Sequence, residues 1–149
     1  MPDYAFADTS VLSHLTRSSE HSLAYNGWIG NRLLAINDQV QAELLGTNYT
    51  GGRKQRLDDL ASACVKLEMN ESTHVCYAKA AAMRAELKKT QHEGRDAGDA
   101  DMWIISSALE YEIPLFSHDR QQVQLARMLG VQVVTNITDL KEGNPKDWT

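Results

Sequence analysis

Four acidic residues stand where a carboxylate is unusual unless it takes part in chemistry. Asp8 and Asp119 each follow a predicted strand, whereas Glu43 and Asp101 each share a predicted helix face with apolar residues. An ionised carboxylate on a core-directed face is costly unless it is paired or binds a metal. Carboxylate oxygens suit hard cations such as Mg²⁺ and Mn²⁺. We therefore predict a metal site with Asp8, Asp101 and Asp119 as ligands, in which Glu43 binds metal or orients a water.

Each of these acids also has a purely structural interpretation. Asp8, Asp99 and Asp119 precede predicted helices, where Asp is a favoured N-cap. Asp101 in a first helical turn would complement the helix dipole, and Glu43 would pair with a Lys or Arg elsewhere. On spacing alone, one shared metal site and several separate structural roles remain alternatives.

Short strands that alternate with helices must position these acids. We predict strands near residues 4–7, 32–36, 65–67, 114–117 and 131–134. Helices are predicted after Asp8, after Asn37 and over residues 71–93, 99–111 and 121–129. Another helix is predicted beyond Gly51-Gly52, a glycine pair that should interrupt the secondary structure. This alternation indicates a parallel sheet flanked by helices, in which ligands bind at the carboxyl ends of the strands.

Composition limits the class of protein. The chain has 149 residues, 42% of them hydrophobic and 23% charged, which suits one compact domain. No apolar run approaches the roughly 20 residues of a membrane span, and the N-terminus lacks the pattern of a signal peptide, so a cytoplasmic protein is expected. The net charge of −5 argues against coating nucleic acid by bulk charge. It does not exclude a nuclease, because bound divalent cations reverse the sign of an acidic site.

Five segments together resemble the PIN-domain family, and especially the VapC-like toxins of toxin–antitoxin pairs. They are residues 8–12 (DTSVL), 40–44 (VQAEL), 101–109 (DMWIISSAL), 113–119 (IPLFSHD) and 129–134 (LGVQVV). The resemblance extends from residue 4 to about residue 137. It departs from the toxin pattern at His118, where such toxins often have Arg.

The resemblance implies a three-layer PIN-like α/β fold with a short parallel sheet. Residues 1–137 would form one nuclease domain, and residues 138–149 a polar C-terminal tail. The implied activity is Mg²⁺- or Mn²⁺-dependent endoribonuclease cleavage of RNA, in a homodimer restrained by an antitoxin protein.

The same pattern assigns auxiliary roles. The spacing of Ile and Ala-Leu after the third acid selects Asp101 rather than Asp96, with Asp99 as an auxiliary acid. Ser10 and Ser117 would position acids or water beside the metal, although both residues are also ordinary turn and cap residues.

An RNA substrate also requires cations and aromatic surfaces near the acids. Tyr49 and Trp103 are candidates for base stacking, with Trp103 more consistent with a core position. The candidates for phosphate contact, each equally explained as a solvated surface residue, are Arg53, Lys54, Arg56, Arg84, Lys88, Lys89, Arg95 and Arg120.

Three other functions compete with this interpretation. A PIN-like domain that keeps the acids but is catalytically inactive would act as a scaffold or an RNA-binding subunit. A receiver-type phosphate-accepting module needs adjacent acids after the first strand, whereas only Asp8 follows it here. A structure-specific DNA nuclease would carry additional acids and DNA-contact helices that the sequence lacks.

Overall fold

The sheet consists of five parallel strands in the order β3-β2-β1-β4-β5. The computed structural model describes residues 3–146. Its strands are β1 (Tyr4–Ala7), β2 (Leu33–Ile36), β3 (Val65–Lys66), β4 (Leu115–Phe116) and β5 (Val133–Val134). The order reverses at β1, because β2 and β3 lie on one side of it and β4 and β5 on the other. Ligands of open parallel sheets bind beside such a reversal, at the carboxyl ends of the strands.

Seven α-helices flank the sheet within the described residues. They are α1 (Thr9–Leu15), α2 (Glu20–Ile29), α3 (Asp38–Leu45), α4 (Gly51–Ala63), α5 (Glu71–Lys89), α6 (Asp99–Tyr111) and α7 (Arg120–Met128), followed by a 3-10 turn at Lys141–Gly143. The architecture is therefore the predicted α/β fold, a short parallel sheet flanked by helices. No helix among residues 3–146 is long and apolar enough to cross a membrane.

The central strand lies at the middle of the hydrophobic core. Ala5, Phe6 and Ala7 are fully buried, because helices cover both faces of a parallel sheet. On the neighbouring strand, Leu115 and Phe116 are also fully buried. Burying one such large apolar side chain stabilises the fold by roughly 1.5–3 kcal/mol. These two neighbouring strands, β1 and β4, are thus firmly anchored in the core.

Most predicted elements are confirmed, with the helix at 99–111 matched at both ends. The predicted break in secondary structure at Gly51-Gly52 is wrong, since both glycines belong to the first turn of α4. Glycine is tolerated there because a first turn lacks intrahelical N–H bonds in any case, and Gly51 adopts φ +62°. The segment around residues 18–30, for which the sequence predicts no element, forms α2.

The long helix α5 ends at Lys89, four residues earlier than predicted. A tight loop follows, and Gly94 adopts φ +95° within it. A Cβ on Gly94 would lie 2.9 Å from the backbone nitrogen of Leu125, so the loop approaches α7 too closely for any side chain. This close approach requires glycine at position 94.

The segment after β5 packs back on the sheet over the described part of the predicted tail. The Asn144 side chain accepts a hydrogen bond from the Thr135 N–H (3.0 Å) and donates one to the Thr135 carbonyl (2.9 Å). Arg127 donates to the Leu140 carbonyl at 2.7 Å. Residues 147–149 of the predicted tail, and Met1 and Pro2, lie outside the described residues.

Candidate active site

The ends of β1 and β4 bring the first and last acids of the pattern together. Ala7 pairs with Phe116 in the sheet, so Asp8 and Ser117 leave adjacent strands side by side. Ser117 Oγ donates a 2.6 Å hydrogen bond to Asp8 Oδ2 and accepts one from the Asp119 N–H at 3.1 Å. Asp119 caps α7 by accepting a hydrogen bond from the Gln122 N–H at 3.1 Å.

Asp8 is the most deeply held of the acids. Its side chain is 2% exposed, and Oδ1 accepts hydrogen bonds from Ser10 Oγ (2.6 Å) and from the Val11 N–H (2.9 Å). Ser10 Oγ accepts in turn from the His118 N–H at 3.0 Å. Ser10 and Ser117 therefore both lie beside Asp8, at the positions from which an auxiliary role was predicted.

Asp101 projects from the first turn of α6. Its Oδ2 accepts a hydrogen bond from the Gly98 N–H (2.9 Å), and its Oδ1 accepts from Gln122 Nε2 (3.1 Å). Gln122 also bonds Asp119 through its backbone, so one residue holds two of the acids. The sequence pattern did not predict a role for Gln122. Its one sequence signal is that it lies three residues after Asp119, where a backbone N–H donates to the side chain of an N-cap residue.

Glu43 approaches from α3, which packs against both α1 and α6. The buried Asn37 side chain fixes that packing, because it caps α3 and donates to Ser107 Oγ (2.8 Å) and to the Trp103 carbonyl (3.1 Å) of α6. Glu43 itself is half-buried and accepts a hydrogen bond from Gln39 Nε2 at 3.2 Å.

These acids line one pocket of about 370 Å³. Its wall is formed by Asp8, Thr9, Ser10, Ser13, His14, Glu43, Tyr49, Asp101, Ile104, Asp119 and Gln122. Within the described chain, three polar atoms of this wall, Thr9 Oγ1, His14 Nδ1 and Gln122 Oε1, are buried without a partner in the protein. Buried polar groups are nearly always satisfied, so such a concentration indicates that the pocket receives polar ligands or water.

The acids carry uncompensated negative charge. Burial raises the pKa of Asp8 to about 6, the hydrogen bonds from Ser10 and Ser117 oppose the rise, and the charge of Asp119 adds to it. Burial also raises the pKa of Asp101, and the charges of Asp119 and Glu43 add to that rise. The ion pairs formed within residues 3–146 engage other carboxylates, those of Asp38, Asp58, Asp99 and Asp139. A cation bound in the pocket would remove this repulsion.

The acids are not arranged as a finished metal centre. In the part of the chain that the structure describes, no group of three His, Cys, Asp or Glu side chains is arranged to coordinate one metal ion. Protein donors engage both oxygens of Asp8 and both of Asp101, and each oxygen keeps a second lone pair. The donor set nevertheless suits a hard cation, since it consists of carboxylates and hydroxyls.

Asp99 does not join the pocket. Its side chain is 75% exposed and pairs with Arg84 at 3.0 Å. Residues two apart on a helix do not share a face, so the side chains of Asp99 and Asp101 point in different directions.

A cluster of histidines adjoins the acids, although their sequence positions are scattered. The rings of His14, His21 and His118 lie with centroids 4.5 to 5.0 Å apart, and His118 Nδ1 is 2.6 Å from the Tyr25 hydroxyl. Burial and the neighbouring charges of His118 and His21 lower the pKa of His14 to about 4. Burial also lowers the pKa of His118, so the position where Arg is often found holds a neutral side chain at pH 7. No sequence spacing reveals this cluster.

Comparison with known proteins agrees with the architecture. A family model described as PIN domain matches residues 5–128. A search of curated protein sequences gave no match. Among solved structures, VapBC2 from Rickettsia felis, bound to a DNA fragment from its promoter, is similar with a TM-score of 0.66 and 15% identity, over 89% of this chain and 98% of that chain.

Two further structures resemble the chain to a similar degree. VapBC-1 from nontypeable Haemophilus influenzae has a TM-score of 0.64 and 22% identity, over 89% of this chain and 97% of that one. VapBC-5 from Mycobacterium tuberculosis has a TM-score of 0.61 and 22% identity, over 90% and 99%. At these identities, the similarity shows a common fold.

Proposed function

Because this chain belongs to the PIN-domain family, we propose that it is a Mg²⁺- or Mn²⁺-dependent endoribonuclease that hydrolyses phosphodiester bonds of RNA. The observation that carries the proposal is the convergence of Asp8, Glu43, Asp101 and Asp119 on one pocket at the carboxyl ends of β1 and β4. None of the four is balanced by an ion pair within the described chain.

Asp8, Asp101 and Asp119 would hold the cation, and Glu43 would bind it or orient the attacking water. The bound cation supplies charge neutralisation at the scissile phosphate and activates water. Ser10 and Ser117 keep the Asp8 carboxylate in place from both sides, and Gln122 does the same for Asp101. Hydrolysis forms a bond from the water oxygen to phosphorus and breaks a P–O bond, whose oxygen leaves with a proton.

We further propose that the nuclease is the toxin of a toxin–antitoxin pair and acts in the cytoplasm as a homodimer. Support comes from the solved structures of the same fold, whose names are those of VapBC pairs. A gene for a short DNA-binding protein directly beside this one would agree with a toxin, and its absence would favour a housekeeping nuclease.

The test is cleavage of total RNA by the purified protein with Mg²⁺, with Mn²⁺ or with EDTA. Asp101→Asn should remove cleavage, because it removes a charged oxygen from the proposed ligand set. Asp59→Asn is the matched control, since the exposed Asp59 on α4 accepts a hydrogen bond from Gln55 away from the pocket. Equal cleavage by wild type and Asp101→Asn, or cleavage undiminished in EDTA, would contradict the proposal.

One observation favours a second function, a retired PIN-like scaffold or RNA-binding subunit. The described acids do not form a preformed metal centre, and each accepts at least one hydrogen bond from the protein. Calorimetric titration with Mn²⁺ separates the two functions. Binding that is lost in Asp8→Asn supports the nuclease, whereas no binding at all supports the scaffold.

A further inference from the structure

The cations that the sequence selects for phosphate contact differ in how the protein engages them. Several are engaged: Lys54 pairs with Asp58, Arg84 with Asp99 and Arg120 with Asp139, while Arg95 donates to the carbonyls of Gln91 and His92. By contrast, Arg17, Arg53 and Arg56 form no ion pair with a carboxylate among residues 3–146. Arg56 donates a 3.2 Å hydrogen bond to the Thr16 carbonyl, which leaves its charge without a counter-ion.

These three arginines line one cleft, which we call the arginine cleft. It lies between the end of α1 and the start of α4, has a volume of about 620 Å³, and is completed by Leu15, Thr16 and Ser18. The nearest acids along α4 are Asp58 and Asp59, which are engaged by Lys54 and Gln55. Three like charges facing one cleft repel each other unless an anion lies among them.

Arg53 is prepared for a ligand by its neighbours. Its guanidinium stacks over the Tyr49 ring at 3.8 Å from the centroid and donates a 2.8 Å hydrogen bond to Ser13 Oγ. Its Nε is buried and has no partner in the described protein. Stacking holds the guanidinium plane in a fixed orientation, which reduces the entropy lost when it binds an anion.

The arginine cleft continues into the acid pocket. Ser13 and Tyr49 line the acid pocket, and both contact Arg53, which lines the cleft. Tyr49 links the two regions again, because its hydroxyl hydrogen-bonds Ser13 at 3.1 Å. The Ser13 hydrogen bond lowers the pKa of Tyr49, and the charges of Arg53 and Arg17 lower it further.

We propose that the arginine cleft binds the phosphate backbone of single-stranded RNA next to the bond that is cleaved in the acid pocket. The inference rests on the proposed nuclease function and adds to it the course of the substrate strand. The acid pocket repels phosphate until it binds metal, so the cleft supplies the attraction that holds the strand. Its planar guanidinium groups match phosphate oxygens in pairs.

The experiment measures binding of a fluorescein-labelled oligouridylate by anisotropy, over a range of NaCl concentrations, in EDTA. The parent protein carries Asp101→Asn so that no hydrolysis occurs. One variant adds Arg17→Gln, Arg53→Gln and Arg56→Gln. The matched control adds Lys79→Gln, Lys141→Gln and Lys146→Gln, which remove three exposed charges that line neither the cleft nor the acid pocket. Thermal unfolding establishes that both variants are folded.

The cleft variant should bind about tenfold more weakly or worse, and its plot of log affinity against log salt should be shallower by about 2, or roughly 0.7 per lost phosphate contact. The control should keep the slope of the parent. Arg53→Lys alone should also keep the slope, because it retains the charge, while it weakens binding by losing the planar donors. Equal affinity and slope in the cleft variant and the control would overturn the proposal.

This outcome is independent of catalysis. If the cleft variant loses RNA binding but the wild-type protein cleaves no RNA with any metal, the nuclease proposal fails and the binding site stands. If the wild type cleaves RNA and the cleft variant binds like the control, the binding site fails and the nuclease stands.

Discussion

The two sides of the acid pocket differ in how firmly they hold their carboxylates. On the Asp8 side, the carboxylate is buried and accepts hydrogen bonds from two donors of α1 and from Ser117, which follows β4. On the Glu43 side, the carboxylate is half-buried on a helix and a single Gln39 side chain engages it. The difference indicates one rigid side that fixes the geometry of the pocket and one open side where the carboxylate is less constrained.

The largest effect should come from the rigid side. We expect Asp8→Asn or Asp101→Asn to lower RNA cleavage by about a hundredfold or more, comparable to the loss of one essential charge-stabilising group. Glu43→Gln should lower it less, because Glu43 lies on the open side. Initial rates under saturating Mn²⁺ measure this, and a greater loss in Glu43→Gln than in Asp101→Asn would reverse the comparison.

The second effect concerns stability and its dependence on pH. Burial raises the pKa of Asp8 from 3.8 to about 6, so the folded state binds more protons than the unfolded state between those values. This contribution to stability is complete below pH 4 and is lost as the pH rises through 6, a change of roughly 3 kcal/mol. Asp8→Asn, which carries no charge, should therefore unfold at higher urea than wild type at pH 7.5 in EDTA.

The pH dependence of the stability difference between Asp8→Asn and wild type provides a control. The advantage of Asp8→Asn should shrink as the pH falls to 4, where the wild-type carboxylate becomes protonated in the folded protein. A difference in urea midpoint that stays constant from pH 4 to 7.5 would show that the buried charge is not its cause. Mn²⁺ should stabilise the wild type more than the variant at pH 7.5.

A smaller effect should follow from the residue that links the two later acids. Gln122→Leu keeps the apolar volume but removes the donor to Asp101. We expect about tenfold weaker Mn²⁺ affinity by calorimetry, as for other residues that orient metal ligands. Gln124→Leu, on the same helix but bonded to Glu93, is the control. Unchanged Mn²⁺ affinity in Gln122→Leu would mean that Asp101 needs no such support.

The smallest effect should come from Asp99. Its exposed ion pair with Arg84 points away from the pocket, and such pairs contribute about 0–1 kcal/mol. Asp99→Asn should therefore cleave RNA within about twofold of wild type and unfold at nearly the same urea concentration. Loss of cleavage in this variant would return Asp99 to the auxiliary role that the sequence suggested.

The sequence predicted what depends on local pattern. Alternating strands and helices placed Asp8 and Asp119 at strand ends, and helical spacing placed Asp101 on α6 with both ends of that helix correct. It did not predict Gln122, the histidine cluster or Arg17 in the arginine cleft. Those depend on contacts between elements far apart in the chain, such as His118 with Tyr25, which no local period encodes.

The hydrogen bonds of Ser117 couple formation of the acid pocket to the correct pairing of β1 and β4. Its hydroxyl bonds both Asp8 and the backbone of Asp119, and this is possible only when Ala7 lies opposite Phe116. Because side chains alternate along a strand, a slip of one residue between β1 and β4 would turn Ser117 to the other side of the sheet. A chain that paired these strands wrongly would thus lose the acid pocket as well as the core, and with it any activity that the pocket supports.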